Sequence, residues 1–574
     1  MATKFLTSFA PLCTINHDIL QLWKRGNVPV IVNTLQGPVS PTLSERYREQ
    51  DEAVVALFGK HPLQKEDWHA RADELDRRSS SSQADRTALA EALRSFQSGM
   101  NEHPAVSRSL ERLAEPGSLV VVGGQQAGLF GGALLIFYKA MTVVQTARHA
   151  EKLLGRPVVP VFWIAGEDHD FDEANHVNVQ TQAGELRRVR LERPDGSRLA
   201  VSRTRLSPEA WEAALQELET ELPDSEFKPA LIDRLRSHVT DAPTLSLAFA
   251  RLLSEWFGPE GMLLLDADDA GLRALEGPMF RELIERNDKL EEALKAGEKK
   301  VASLGFSLQA ETAFGSANLF LHHDSGRLLL HKEPNGNFAD RRRSVSLCRD
   351  DMLSLTEDSP ERLSTNALTR PLMQDYVLPV LAAVLGPAEL AYWGILGPAF
   401  AEFGLEMPLL VPRQSFVYVE TGIARQLDKF ALTPEEALWN WERRKEQWLA
   451  SQDEWRLEEK FRNAKEQFLA IYRPVMETVA ALQPGLAKLS ESNRDKIVEQ
   501  ISFLENRSMD ALAKQHEASL RQWDRIRTAL MPGSKPQERV FGTIHFWNRY
   551  GPEWLTRWAE VPYEPNGGFR LIEG

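Results

Sequence analysis

The spacing of apolar positions changes several times along the chain, and each change predicts a different kind of element. Thr42 to Phe58 and Gln83 to Met100 carry apolar residues at helical spacing among many charges, which predicts a helical N-terminal region over 1–115. The run Arg77-Arg78-Ser79-Ser80-Ser81-Ser82 reads as a polar loop within it. At Leu119-Val120-Val121-Val122 the pattern becomes a short continuous apolar run, the mark of a buried parallel strand. A glycine-rich turn over 123–132 follows, then an amphipathic helix from Ala133 to Leu154 closed by Gly155, then a second strand, Val158 to Ile164. Strand, glycine turn, helix and strand make a βαβ unit, which puts the glycine turn at the carboxyl end of a sheet.

Later runs, Met262 to Leu265 and Met407 to Val411, predict further core strands. Between them lie two insert-like stretches. The first opens with alternating residues and glycine-bearing turns and becomes helical. The second predicts a hairpin, with Asn318 to Leu321 facing Leu328 to Leu330 across Asp324-Ser325-Gly326. From Thr433-Pro434-Glu435-Glu436, a capping box with proline at the first helical position, the chain turns strongly helical. Trp441, Trp448 and Trp455 recur every seven residues and, after a one-residue slip, so do Phe461, Phe468, Val475, Leu482 and Leu489, which predicts coiled-coil packing within or between chains. An arm over 434–472 would be about 60 Å long. Pro474 and Pro484 predict a bend or reversal, with a second arm from Ser492 to Leu530.

These changes predict an α/β fold with a Rossmann-type core and a C-terminal α-helical coiled coil. The N-terminal helical region (1–115) and an aromatic-rich tail (532–574) pack on the body. The core comprises 116–175, 239–297 and 366–425, the inserts are 176–238 and 298–365, and the coiled coil is 426–531. At 574 residues, a prior of roughly 150 residues per domain suggests about three or four units.

The charge balance, 68 Lys+Arg against 82 Asp+Glu for a net −14, argues against broad binding to nucleic acid or anionic membrane. It leaves room for a local basic pocket. Two distant cysteines, Cys13 and Cys348, make neither a disulfide framework nor a zinc cluster and fit a reducing cytosol. No apolar stretch is long enough to span a bilayer, so the expectation is a soluble cytoplasmic protein.

Four segments could carry chemistry. Backbone N–H groups of the glycine turn, with Gly123, Gln125 and Gln126, could hold an anion, although a structural tight turn is equally consistent and neither a Walker A loop nor GxGxxG is present. Lys139, on the following helix, reads as a solvated charge. Glu167-Asp168-His169-Asp170 directly follows a buried strand, a costly place for charges unless they are paired, metal-bound or exposed in a cleft. His169 between Asp168 and Asp170 could act as a general base, and the carboxylates could hold an amine or a cation, with a capped loop as the plainer alternative. Zinc-ligand spacing is absent, and no metal site is expected. Arg370 offers a carboxylate or phosphate fork, and Glu389, Tyr392 and Trp393 share a helix face that suits a pocket wall. Arg413 and Ser415 could meet a cofactor or serve structural pairing.

The segments GGQQAGLFGG, PVVPVFWIAGEDHDFDEANHV, TRPLMQ, GPAELAYWG and MPLLVPRQSF, in this order from about Val121 to Phe416, resemble the bacillithiol-biosynthesis BshC family. The resemblance implies a Rossmann core interrupted by two connective inserts, as in class I aminoacyl-tRNA synthetases, with a coiled coil used for homodimerisation. It implies a ligase joining the carboxyl group of L-cysteine to the amine of glucosaminyl-malate, with ATP or ADP as the candidate cofactor. On this chain it implies a cleft bordered by Gly123, Gln125, Gln126, Asp168, His169 and Asp170 and completed by Arg370, Glu389, Tyr392 and Trp393. In that picture Arg370 binds the malate carboxylates. The HxGH and KMSKS motifs with which class I synthetases activate their acids are missing, so the fold does not by itself license that chemistry. Their absence keeps a rival in view, a non-catalytic coiled-coil adaptor with a degenerate nucleotide-binding core.

Overall fold

The computed structural model describes residues 32–35, 42–79, 82–194 and 198–574; Cys13, Ser80 and Ser81 fall outside them. The centre is a five-stranded sheet made of β1 (Leu119–Gln125), β2 (Val158–Ile164), β3 (Leu263–Asp266), β4 (Val380–Leu385) and β5 (Leu409–Pro412). Its spatial order is β5-β4-β1-β2-β3, and every neighbouring pair is parallel. This is the Rossmann arrangement, in which the order reverses between β1 and β4 and a crevice opens beyond the carboxyl ends of those two strands.

The apolar runs are continuous because both faces of the sheet are covered. Val120, Val122, Val159, Val161, Leu263 and Leu265 enter one buried cluster. Leu119, Val121, Val158, Leu381 and Val384 enter another, against Val143 and Ala147 of helix α1 (Leu134–Leu154). Gly155, in the left-handed conformation, ends α1 as its sequence position predicts.

The glycine turn begins later than the sequence suggests. Gly123, Gly124 and Gln125 continue β1, paired in register with Phe162, Trp163 and Ile164, so their backbone groups are spent largely on the sheet rather than on an anion. Both glycines are needed for close approach. A Cβ on Gly123 would sit 2.5 Å from a Val143 methyl, and one on Gly124 would sit 2.7 Å from the Trp163 carbonyl oxygen.

Chain 176–257 adds the hairpin His176–Gln180/Leu186–Arg190 and helices Pro208–Glu221, Lys228–Val239 and Leu245–Phe257. Chain 316–365 forms a five-stranded sheet around the hairpin Ser316–His323/Gly326–Lys332, with Phe320 opposite Leu329 and Leu321 opposite Leu328. The N-terminal helices pack on the core. Arg78 is not part of a solvated loop: its side chain is buried, and with Arg71 it clamps Asp375, while Arg71 Nε donates to the Val380 carbonyl of β4 at 3.0 Å. The chain's last strand, Gly568–Glu573, lies between Val32–Thr34 and Gln414–Val419 and ties the tail to the body.

The C-terminal helical region departs from the expected long arm. Three helices, Pro434–Trp439, Trp441–Ser451 and Leu457–Leu482, replace it, with Arg456 left-handed at the break. Trp441 and Trp448 do not form a coiled-coil seam. They close on Trp523, at ring-centroid distances of 5.0 and 5.8 Å, in a compact base under the hairpin, and Trp455 is exposed. The coiled coil proper is Leu457–Leu482 against Ala487–Gln515, reversing at Pro484; Pro474 lies inside the first helix without ending it.

Candidate active site

The crevice at the switch point is a cavity of about 190 Å³, floored by Gly123, Gly124 and Gln125. Asp168, Asp170 and Glu173 line one side of it, and Arg370, Glu389, Tyr392 and Trp393 line the other. The predicted side chains, from three segments separated by some 200 residues, therefore meet in one place, with three exceptions. His169 is not on the wall; its ring lies 6.4 Å from Phe320 of the second sheet, and its buried Nδ1 has no partner. Arg413 is buried away from the cleft, with Nη2 paired to Glu538 at 2.6 Å, and Ser415 lies in the strand Gln414–Val419. Arg413 is committed to Glu538, and neither residue lines the cleft.

The acidic loop keeps its charges because guanidinium groups from distant segments meet them. Glu167 is fully buried against Arg273 and accepts from Arg370 Nε at 3.1 Å. Burial alone would push its carboxyl up, but Arg273, Arg370 and Arg327 outweigh that and hold it down at about 2. Asp168 accepts from Arg370 Nη2 at 2.9 Å and from Arg327 Nη1 at 2.7 Å. Burial works against the charge of Arg370 but is outweighed by Asp168 and Glu167, which hold its proton affinity above the ordinary value. Arg370 thus spends Nε and Nη2 on the protein's own carboxylates, and its charge is matched before any substrate arrives.

Lys139 is not solvated. It is 1% exposed beneath the cleft floor, donates to the Gly124 carbonyl at 2.7 Å and to Gln125 Oε1 at 3.1 Å, and pairs with Glu389 Oε2 at 2.5 Å. Burial pushes its ammonium down and Glu389 opposes that. Glu389 also accepts from the Gly386 N–H at 2.7 Å, capping helix Pro387–Trp393, so it is as much a fixture of the cleft as a ligand group. Glu173, which the sequence reading passed over, lies at the cleft's edge. Desolvation there and the carboxylates of Asp170 and Asp168 push its carboxyl up. Among the described residues, Asp170 and Glu173 are the wall's carboxylates without a lysine or arginine partner, and the His169 ring approaches Asp170 with Nε2 at 3.9 Å.

Asp266, at the end of β3, lies where a Cβ on Gly166 would be, and burial pushes its carboxyl up to about 7. A folded-state value above the unfolded one means stability that is full at low pH and is lost as pH rises through about 7. Asp266→Asn keeps an acceptor for the Asp268 N–H, now 2.9 Å from Oδ1. The thermal midpoint of the wild type should therefore fall relative to this variant between pH 5 and pH 8. Part of the slope remains in both proteins, because burial also lifts Glu276 to about 7. Parallel midpoint curves would contradict this account.

The residues 30–414 match the model of the bacillithiol biosynthesis BshC N-terminal Rossmann-like domain, and 416–574 match that of the BshC C-terminal coiled-coil domain. A protein of Bacillus licheniformis is 34% identical over 515 residues, 89% of this chain and 94% of its own length. One of Geobacillus thermodenitrificans is 34% identical over 527 residues (91% and 97%), and one of Bacillus anthracis is 33% identical over 470 (82% and 87%). Each carries the provisional name cysteine ligase BshC.

Proposed function

The chain belongs to the bacillithiol biosynthesis BshC family, and from that premise we propose that it is a ligase adding L-cysteine to the amine of glucosaminyl-malate in the switch-point cleft. The observation that carries this reading is the pair of carboxylates, Asp170 and Glu173, left without a lysine or arginine partner among the described residues on a wall whose other charges are already matched. Two such groups suit an incoming ammonium. Glu173, with its raised proton affinity, is placed to take the proton that turns this ammonium into the free amine, whose nitrogen then bonds to the acyl carbon of cysteine as the leaving group departs with the amine's second proton. His169 acts at most from behind this wall.

Joining a free carboxylate to an amine in water is uphill, so the acyl group must be activated, and ATP is the proposed source of that energy. Arg413 is committed to Glu538, neither it nor Ser415 lines the cleft, and the backbone of Gly123 to Gln125 is committed to the sheet. No helix among the described residues is long and apolar enough to cross a membrane, which accords with the proposed cytoplasmic setting. Calorimetric titration of the full chain with L-cysteine and with glucosaminyl-malate tests the reading: both should bind, and failure of either to bind would sink it.

One observation favours the adaptor alternative. Asp168, Arg370 and Glu389 are paired within the protein rather than held open. An adaptor would tolerate the loss of Asp170 and Glu173 without consequence, which a ligase would not.

We also propose that the hairpin pairs two copies. Its helices, 26 and 29 residues long, bury only Leu512 between them, while Ile471, Leu482, Leu489 and Phe503 are 56–81% exposed. So much apolar surface on a two-helix projection calls for a partner surface, and a second hairpin supplies it with matching spacing. Ile471→Glu combined with Leu482→Glu should convert a dimer to a monomer in light scattering; an unchanged dimer mass would place the interface elsewhere.

A further inference from the structure

A second cavity, of about 480 Å³, opens from the cleft and shares Gln125, Gln126 and Glu173 with it. Its charge is the opposite of the cleft's. The cleft lining holds Asp168, Asp170, Glu173 and Glu389 against one guanidinium, Arg370. The chamber lining holds Lys535, Arg539 and His176, and Glu173 at the shared neck is its one carboxylate. Neither Lys535 nor Arg539 makes a side-chain hydrogen bond or ion pair among the described residues. Burial and the guanidiniums of Arg188 and Arg190 push the His176 ring down, as a positive field does. Asn178 is held by its bond to the Val540 carbonyl at 3.1 Å, which joins the chamber's hairpin wall to the segment carrying the two cations.

Resting on the proposed ligase reading, we infer that this chamber is the carboxylate-binding half of the substrate site. It takes the anionic end of an amine substrate whose amino group lies among Asp170 and Glu173. Arg370 is less suited to that end, because Glu167 and Asp168 already match its charge through Nε and Nη2. Lys535 and Arg539 line the chamber and carry no such pairing among the described residues. A substrate with an amine at one pole and carboxylates at the other is oriented by the two cavities together, since the reversed pose sets each charge against its like. Glucosaminyl-malate has this polarity.

The test is calorimetry on the full chain and on its Lys535→Gln/Arg539→Gln double variant, with glucosaminyl-malate, glucosamine, L-cysteine and L-malate as separate titrants. Both side chains are exposed, so the variant should keep the wild-type thermal midpoint. Its Kd for glucosaminyl-malate should rise about 10- to 100-fold, the effect of losing charge-assisted bonds, with glucosamine and L-cysteine unchanged. An unchanged Kd for glucosaminyl-malate overturns the inference, and so does an equal loss for all titrants. If the wild type does not bind glucosaminyl-malate at all, the ligase reading fails and L-malate decides the chamber. Binding of L-malate by the wild type and not by the variant keeps it as a carboxylate site; no binding by either protein removes it.

Discussion

Arg273→Met should destabilise the protein by about 3–5 kcal/mol, the range for removing one partner of a buried ion pair. Arg273 is 1% exposed and stands between Glu167 and Glu276, both fully buried. Glu167 retains Arg370 when Arg273 is lost, but Glu276 loses its one ion-pair partner among the described residues. The cost lies in the stranded carboxylate rather than in the pair itself, so a second substitution should return much of it. Arg273→Met/Glu276→Leu, which replaces both charges with apolar volume, is expected to recover more than half of the loss in urea denaturation. A double variant as unstable as the single one would mean that the ion pair, and not the orphaned charge, carries the stability. The effect should extend to the cleft, because Arg273 fixes Glu167, and Glu167 helps to fix Arg370 on its wall.

Asp170→Asn/Glu173→Gln should lower ligation by about 10²- to 10⁴-fold, the usual contribution of positioned acid–base groups, while the thermal midpoint stays near that of the wild type. Both carboxylates lie on the cleft wall and lack a lysine or arginine partner, so their removal leaves no buried charge unpaired. Each single variant should show part of the loss, with Glu173→Gln also shifting the acid limb of the pH–rate profile, since Glu173 is the group whose proton affinity the site raises. His169→Asn should do less than either. Full activity in the double variant would move the amine site out of this cleft; a His169→Asn loss as large as that of the double variant would restore the histidine as base.

The parts of this picture legible in the sequence are those fixed by neighbours along the chain. Val158–Ile164 is apolar at every position because both faces of the sheet are covered, and its strand limits can be read directly. Gly155 marks the end of α1 for the same local reason. The βαβ pattern also puts Gly123 and Asp168 at the carboxyl ends of neighbouring strands, while the place of β4 beside β1, which brings Glu389 to them, is visible only in the fold. What could not be read is which charges neutralise one another. Arg370 and Asp168 are paired at 2.9 Å across about 200 residues of chain, and no spacing rule connects them. Lys139 is the one charge in the apolar stretch 134–147, so nothing local separates a solvated lysine from one buried beneath the floor of a cleft. The tryptophans at 441 and 448 have true heptad spacing, but seven residues is also two turns of any helix, and a local base around Trp523 uses the same face. Lys535 and Arg539 carry no motif; only the folded tail brings them to the hairpin at His176.

The most direct test of the central claim, that this cleft joins cysteine to an amino-sugar acceptor, is mass spectrometry of low-molecular-weight thiols in a strain lacking the gene. Bacillithiol should disappear and glucosaminyl-malate accumulate, with rescue by the intact gene and not by the stably expressed Asp170→Asn/Glu173→Gln variant. Unchanged bacillithiol in the deletion strain, or full rescue by the variant, would contradict the account.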